Sequence, residues 1–185
     1  WQYEAKDKKS YPSKGMSLQA EVSFYTDTLS TYDGHTPFGA ASVWWEGVYS
    51  ITNRFSMIPS AYGRVLFGQD SPYPFMNVLG GDTPGRYMPQ QIPFTGISFM
   101  EIFDNSVVVG RLELRQRIGK RNYFSLTTNY GLTDHNFGDI LKGKQLFGIG
   151  VGYGYDSIIG PIEASLSISN QTKQVGFYGS VGFVF

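Results

Sequence analysis

Cysteine is missing from all 185 residues, which excludes disulfides and thiolate metal sites while leaving an oxidising compartment open. Net charge is missing too, with 15 basic side chains against 15 acidic ones. A nucleic-acid partner is therefore not expected, because phosphate binding needs a basic excess. No run approaches the ~20 apolar residues of a membrane-spanning helix. Ala and Leu, the strongest apolar helix formers, are sparse. The chain opens at Trp1 without a basic-then-apolar leader, so a processed or truncated chain is expected. What remains is rich in aromatics (16%) and in glycine (23 residues), a composition suited to strands and tight turns. The length is enough for one sizeable core.

Apolar and polar residues alternate with period two from end to end, and no helical window competes. Nine strands are expected, at about 1–7, 15–27, 40–52, 54–68, 106–118, 121–132, 146–156, 160–169 and 176–185. Their connections alternate in length. Those at 8–14, near Asn53, at 119–120 and at 157–159 span about 7, 1, 2 and 3 residues, whereas 28–39, 69–105, 133–145 and 170–175 span about 12, 37, 13 and 6. In an up-and-down sheet alternate connections lie at opposite ends, so all short turns fall on one side. Outer-membrane barrels sort their loops this way, with short periplasmic turns and long outer loops.

Charge supplies an independent signal. Glu4, Lys6, Glu21, Glu46, Arg64, Arg111, Glu113, Arg115, Arg117 and Glu163 fall on one parity of their strands. The other parity is apolar: Met16 to Phe24 in the second strand, Val108 to Ile118 in the fifth, Ile162 to Ile168 in the eighth. A Lys or Arg facing lipid at mid-bilayer would cost about 2–4 kcal/mol, which accounts for the empty parity. In the seventh strand, Gly148, Gly150, Gly152 and Gly154 take the inner parity and leave room inside. Bulk there is expected to hinder loop docking or barrel assembly more than changes at Ser165 or Ser167. A soluble barrel or sandwich with its apolar parity turned inward shares the alternation, but has no reason to sort its loops by length.

Four stretches carry a family resemblance. Tyr11-Pro12-Ser13-Lys14-Gly15 resembles a Tyr-Pro-Thr-x-Gly periplasmic turn. Gly80-Gly81 followed by Gly85-Arg86-Tyr87 resembles the signature of a long sixth outer loop. Gly160-Pro161-Ile162-Glu163 resembles the start of a penultimate strand, and Gly176 to Phe185 a final strand with a terminal Phe. Together they resemble the C-terminal part of the barrel of the BamA/TamA superfamily, which includes two-partner secretion transporters and patatin-linked autotransporters. The phrase from Gly85 to Phe94 is most similar to barrels attached to patatin-like phospholipase domains in Bacteroides-type bacteria. Tyr87 stands where the family usually has Gly, and the final strand spaces its glycines differently from the usual assembly signal.

The resemblance implies an all-β, transmembrane, up-and-down antiparallel barrel. Residues 1–185 would be its C-terminal portion, about nine strands of sixteen, with 69–105 as an inserted outer loop. It implies a bacterial outer-membrane location. Expected partners are outer-membrane lipid, the remaining N-terminal strands or upstream domains of the same protein, the assembly machinery and other outer-membrane subunits. Gly80, Gly81, Gly85 and Tyr87 would form the loop signature, and Phe177, Phe183 and Phe185 the terminal assembly signal.

No catalytic residue, cofactor or metal site is expected. A patatin-type nucleophile needs a Gly-x-Ser-x-Gly elbow, and Ser98 and Ser180 lack it. His35 and His135 beside Asp33 and Asp134 read as solvated loop residues. Residues 80–85 lack the Lys and helix of a phosphate cradle. Trp45 and Tyr49 read as a lipid-interface girdle rather than a sugar platform. One constellation stands out: Arg86, carried on the loop, facing Glu113, the only acid among Arg111, Arg115 and Arg117. A guanidinium forks well onto a carboxylate. The competing arrangement has Glu113 neutralising Arg111 and Arg115 on its own strand. The function expected is an outer-membrane translocation or assembly barrel that inserts or exports polypeptide, or anchors a fused patatin-like passenger. The alternatives are a passive channel and a barrel-embedded hydrolase.

Overall fold

The computed structural model describes residues 1–26, 37–68, 73–82 and 90–182. Among these residues there are twelve strands in chain order: β1 (Gln2–Lys6), β2 (Gly15–Tyr25), β3 (Phe38–Ser50), β4 (Phe55–Phe67), β5 (Asn77–Leu79), β6 (Gln91–Ile92), β7 (Ile102–Asp104), β8 (Ser106–Ile118), β9 (Asn122–Asp134), β10 (Lys144–Ser157), β11 (Gly160–Ser169) and β12 (Gly176–Val181). Nine of them form one antiparallel meander in the order β1-β2-β3-β4-β8-β9-β10-β11-β12. These nine match the expected segments to within a few residues. Pro59 has no N–H to give, and the β3–β4 ladder skips from Glu46–Ser60 to Tyr49–Met57 around it.

Two segments differ from expectation. Residues 69–105, read as a plain loop, contain a second sheet in which β5 pairs parallel with β6 and antiparallel with β7. These strands of two or three residues are too short to register as alternation. The connection at 133–145 is shortened because β9 reaches Asp134 and β10 begins at Lys144, with a 3-10 turn over Phe137–Lys142 between them. Among the described residues the last strand covers Gly176–Val181, and residues 183–185 of the expected strand lie outside those described.

Opposed residues in an antiparallel ladder share a face. Arg111 lies opposite Ser60 and Asn129, and Arg115 opposite Ser56 and Ser125, which continues to Gly152 and Ser165. The polar parity is therefore one continuous face. The sheet curls around it: Tyr11, in the β1–β2 turn, stacks on Tyr123 of β9 although β3, β4 and β8 intervene. The apolar parity faces outward, where Val22, Phe24, Leu126, Phe147, Val151 and Leu166 are exposed. A soluble fold would turn that parity inward, so this arrangement overturns the soluble alternative.

Aromatics flank the outer band. Phe124 packs edge-on against Tyr153 near the short-turn end, and Phe24 against Phe67 near the other. Tyr49 and Trp45 flank Gly47 on the same outer surface. Phe124 and Tyr130 are six residues apart on β9, roughly 20 Å along the strand, close to the height of a lipid-facing band. Among the described residues β1 and β12 each have one neighbour and do not pair with each other.

Candidate functional site

The inner face of β8 carries a row of alternating charge. Glu113 accepts from Arg115 Nε at 2.9 Å and pairs with its Nη2 at 2.8 Å, while Arg111 Nη2 stands 3.9 Å away. This is the same-strand neutralisation that competed with an Arg86 partner. Lys6 and Glu46 pair at 2.8 Å on the same face. Arg117 donates to the Asn53 carbonyl at 3.0 Å and so joins two short turns. Glu163 lies opposite Gly154 and Ser180.

Against this polar face lies the described part of the long loop. Leu79, Ile92, Phe94 and Ile97 are almost fully buried in one cluster with Tyr62, Val107, Val109 and Leu146, and Trp44 packs against it. The loop thus brings its own apolar ridge into a polar interior, where wall positions at the long-loop end supply matching apolar side chains. Burial of that ridge favours docking at about 25 cal/mol per Å² removed from water.

Hydrogen bonds then set the register. Arg64 Nη1 donates to Asn77 Oδ1 at 2.9 Å and to the Phe75 carbonyl at 3.0 Å. Asn77 returns a bond to the Asn105 carbonyl at 2.8 Å. Ser165 donates to Asp82 at 2.5 Å, Ser169 to the Gly96 carbonyl at 2.6 Å, and Thr133 to Asp104 at 2.7 Å. The loop is therefore tied to β4, β9 and β11.

Gly80 and Gly81 hold the bend that starts this arrangement. Gly80 has φ 134°, and a Cβ there would strike the Ser98 carbonyl. Gly81 accepts from the Phe94 N–H at 2.8 Å and donates to the Ile97 carbonyl at 2.9 Å. The β10 glycines form the seat. A Cβ on Gly148 would meet the Thr95 carbonyl, one on Gly150 would lie 2.7 Å from the Thr95 methyl, and one on Gly154 would meet the Tyr11 hydroxyl. Gly152 faces Ser125. Ser165 and Ser167 lie opposite Gly152 and Gly150 on this inner face. Ser165 is itself a tether.

Tyr11 closes the short-turn end. Its ring stacks on Tyr123 at 4.0 Å between centroids, and the Arg115 guanidinium lies 5.3 Å over it. Tyr11 has φ 45°, a conformation unusual for a non-glycine residue. Burial, then the Glu163 carboxylate, push the hydroxyl's pKa up, although the hydroxyl makes no hydrogen bond of standard geometry. Between Tyr11 and Asp82 a cavity of about 210 Å³ is lined by Arg111, Glu113, Arg115 and Glu163.

Some expected site residues fall elsewhere. Gly85, Arg86 and Tyr87, and with them the partner expected for Glu113, lie outside the described residues, as do Phe183, Phe185 and His35. Phe177 is exposed on the outer face opposite Leu166. His135 contacts the Asn105 side chain at 3.1 Å. Among the described residues no cluster has the composition of a metal site, and no helix is long and apolar enough to cross a membrane.

Sequence reasoning missed Asn77, Asp82, Phe94 and Thr95, whose positions depend on where the loop lands. Tyr11 had a signal as the first residue of the Tyr-Pro turn, and Phe94 as the last of the phrase that begins at Gly85, but those signals marked the segments rather than the reach of either side chain. No curated protein matches the chain. The family model described as the OMP85 superfamily matches residues 1–185. Its full-length match, with the outward apolar parity and the curled nine-stranded meander, establishes that the chain belongs to the OMP85 superfamily.

Proposed function

We propose that this chain is the C-terminal portion of a larger outer-membrane barrel in which residues 69–105 remain in the lumen as a plug during translocation or assembly of polypeptide. Superfamily membership gives the general class, an outer-membrane translocation or assembly barrel. The observation that carries the finer reading is the loop's buried ridge, Leu79, Ile92, Phe94 and Ile97, packed on the apolar wall positions Tyr62, Val107, Val109 and Leu146 inside the curled sheet. The unpaired edges of β1 and β12 support a larger barrel, because an open sheet edge is not tolerated in lipid. The missing strands would come from the same protein.

In this reading the chain performs no chemical step. It anchors or exports a passenger, and the stretch from Gly85 to Phe94 favours a patatin-like hydrolase as that passenger. The charged lock expected from the sequence, Arg86 on Glu113, would add to the tethers described above, with Arg86 itself outside the described residues. Single-channel recording on the full-length protein tests the plug. Low, flickering conductance that becomes large and steady after Asp82→Ala and Ser165→Ala is expected. A large, steady conductance in the unaltered protein would make it a passive channel. Ester hydrolysis retained after deletion of every residue before Trp1 would place the chemistry in the barrel and overturn the passenger assignment.

A further inference from the structure

The four short turns, 7–14, 51–54, 119–121 and 158–159, carry six basic residues and one acidic residue. That acid, Asp7, is already occupied, accepting from the Ser13 hydroxyl at 2.5 Å and from the Ser13 and Lys14 N–H groups at 2.8 and 3.2 Å. Lys8, Lys14, Arg54, Lys120 and Arg121 are exposed, and none forms a salt bridge among the described residues. The long-loop end has the opposite balance: Asp82, Glu101, Asp104 and Asp139 against Lys142 and Lys173 among its described connections. A chain of zero net charge is thus polarised along its strands.

The same turns carry exposed isoleucines. Ile51 and Ile118 flank two of them, and Ile158 and Ile159 form the tip of a third, with Ile158 91% exposed. A rim in contact only with water would gain nothing from four exposed isoleucines. They lie just beyond the outer aromatics Tyr49, Phe124 and Tyr153, so the sequence of layers along the strands is aromatic, then apolar tip with cation. Apolar side chains interleaved with Lys and Arg, at the depth where a bilayer passes from acyl chain to headgroup, match an anionic lipid surface.

We infer that the short-turn rim binds anionic phospholipid headgroups of the leaflet on that side, through Lys8, Lys14, Arg54, Lys120 and Arg121, with the turn isoleucines set into the interfacial region. Arg115 and Arg117 take no part, because both belong to the inner face. The inference requires only that the barrel spans a bilayer. It stands apart from the nature of the passenger.

Native mass spectrometry on the full-length protein, extracted from vesicles of phosphatidylethanolamine and phosphatidylglycerol, tests it. Folded barrel is selected by heat-modifiable gel mobility before each comparison. The unaltered protein is expected to retain phosphatidylglycerol over phosphatidylethanolamine, and to lose it as salt rises. K120Q/R121Q and K8Q/K14Q should each lower retention, by about fivefold per charge removed. K144Q, at the opposite end of β10, should leave retention unchanged. Equal retention of the two lipids by the unaltered protein would overturn the inference. So would a loss in K144Q as large as in the rim variants. Rim variants that keep phosphatidylglycerol but lose a cross-link to an acidic polypeptide would assign the rim to a protein partner instead.

Discussion

Ser165 Oγ donates a 2.5 Å hydrogen bond to Asp82 Oδ2, joining the wall to the loop across 83 positions of sequence. A charged acceptor makes this tether stronger than a neutral pair, at about 1.5–3 kcal/mol in a dry setting. The cavity beside it admits water, so the lower end applies. S165A and D82A should each destabilise loop docking by about 1–2 kcal/mol. The double variant should cost little more than either single, because both remove the same bond. Limited proteolysis within 69–105 measures this, and fully additive effects would show that the two residues act separately.

The seat on β10 should be intolerant of bulk. G148V drives a side chain into the Thr95 backbone carbonyl, which cannot rotate away, whereas G150V meets the Thr95 side chain. Overpacking of this kind costs about 1–3 kcal/mol, and G148V should be the worse of the two. G110V is the control, since its nearest neighbour to an added Cβ is 4.0 Å away on the outer face. Urea unfolding of the barrel in detergent should rank them G148V, G150V, G110V from least to most stable.

For the charged lock, R86A should raise protease sensitivity in 69–105, and E113Q should do so through two routes. Glu113 holds Arg115 at 2.8 Å, and Arg115 lies over Tyr11. Losing one partner of a buried pair costs about 3–5 kcal/mol, and far less where water screens it. A cycle in which R86A and E113Q add without coupling would show that Arg86 has another partner.

Acid should loosen the first turn. The Ser13 hydroxyl, aided by the Ser13 and Lys14 N–H groups, holds the Asp7 pKa down at about 2, below its ordinary 3.8. A depressed carboxylate pKa contributes stability that is present above about 3.8 and lost as pH falls through about 2. Carboxyl-carbon NMR should place the Asp7 titration near 2, moving toward 3.8 in S13A. An unshifted Asp7 in the unaltered protein would mean that the turn is not ordered as described.

Strand positions, face parity and loop sorting were legible in the sequence because each rests on local rules. Alternation has period two whatever the strand packs against, and a charge facing lipid is too costly to sit at mid-bilayer. Those rules identified Arg111, Glu113, Arg115 and the β10 glycines as one inner face before any contact was known. They could not say what fills the space above Gly148 and Gly150, since Thr95 arrives there through a loop with no periodic signal.

Tertiary structure alone decided two things: that the ridge from Leu79 to Ile97 docks inside, and that Tyr11 crosses to Gly154. Each depends on the curl of the whole sheet, a cumulative twist across many strands rather than a property of any one. Sequence specified the two faces of the strands; the curl of the sheet around one of them determined which residues meet.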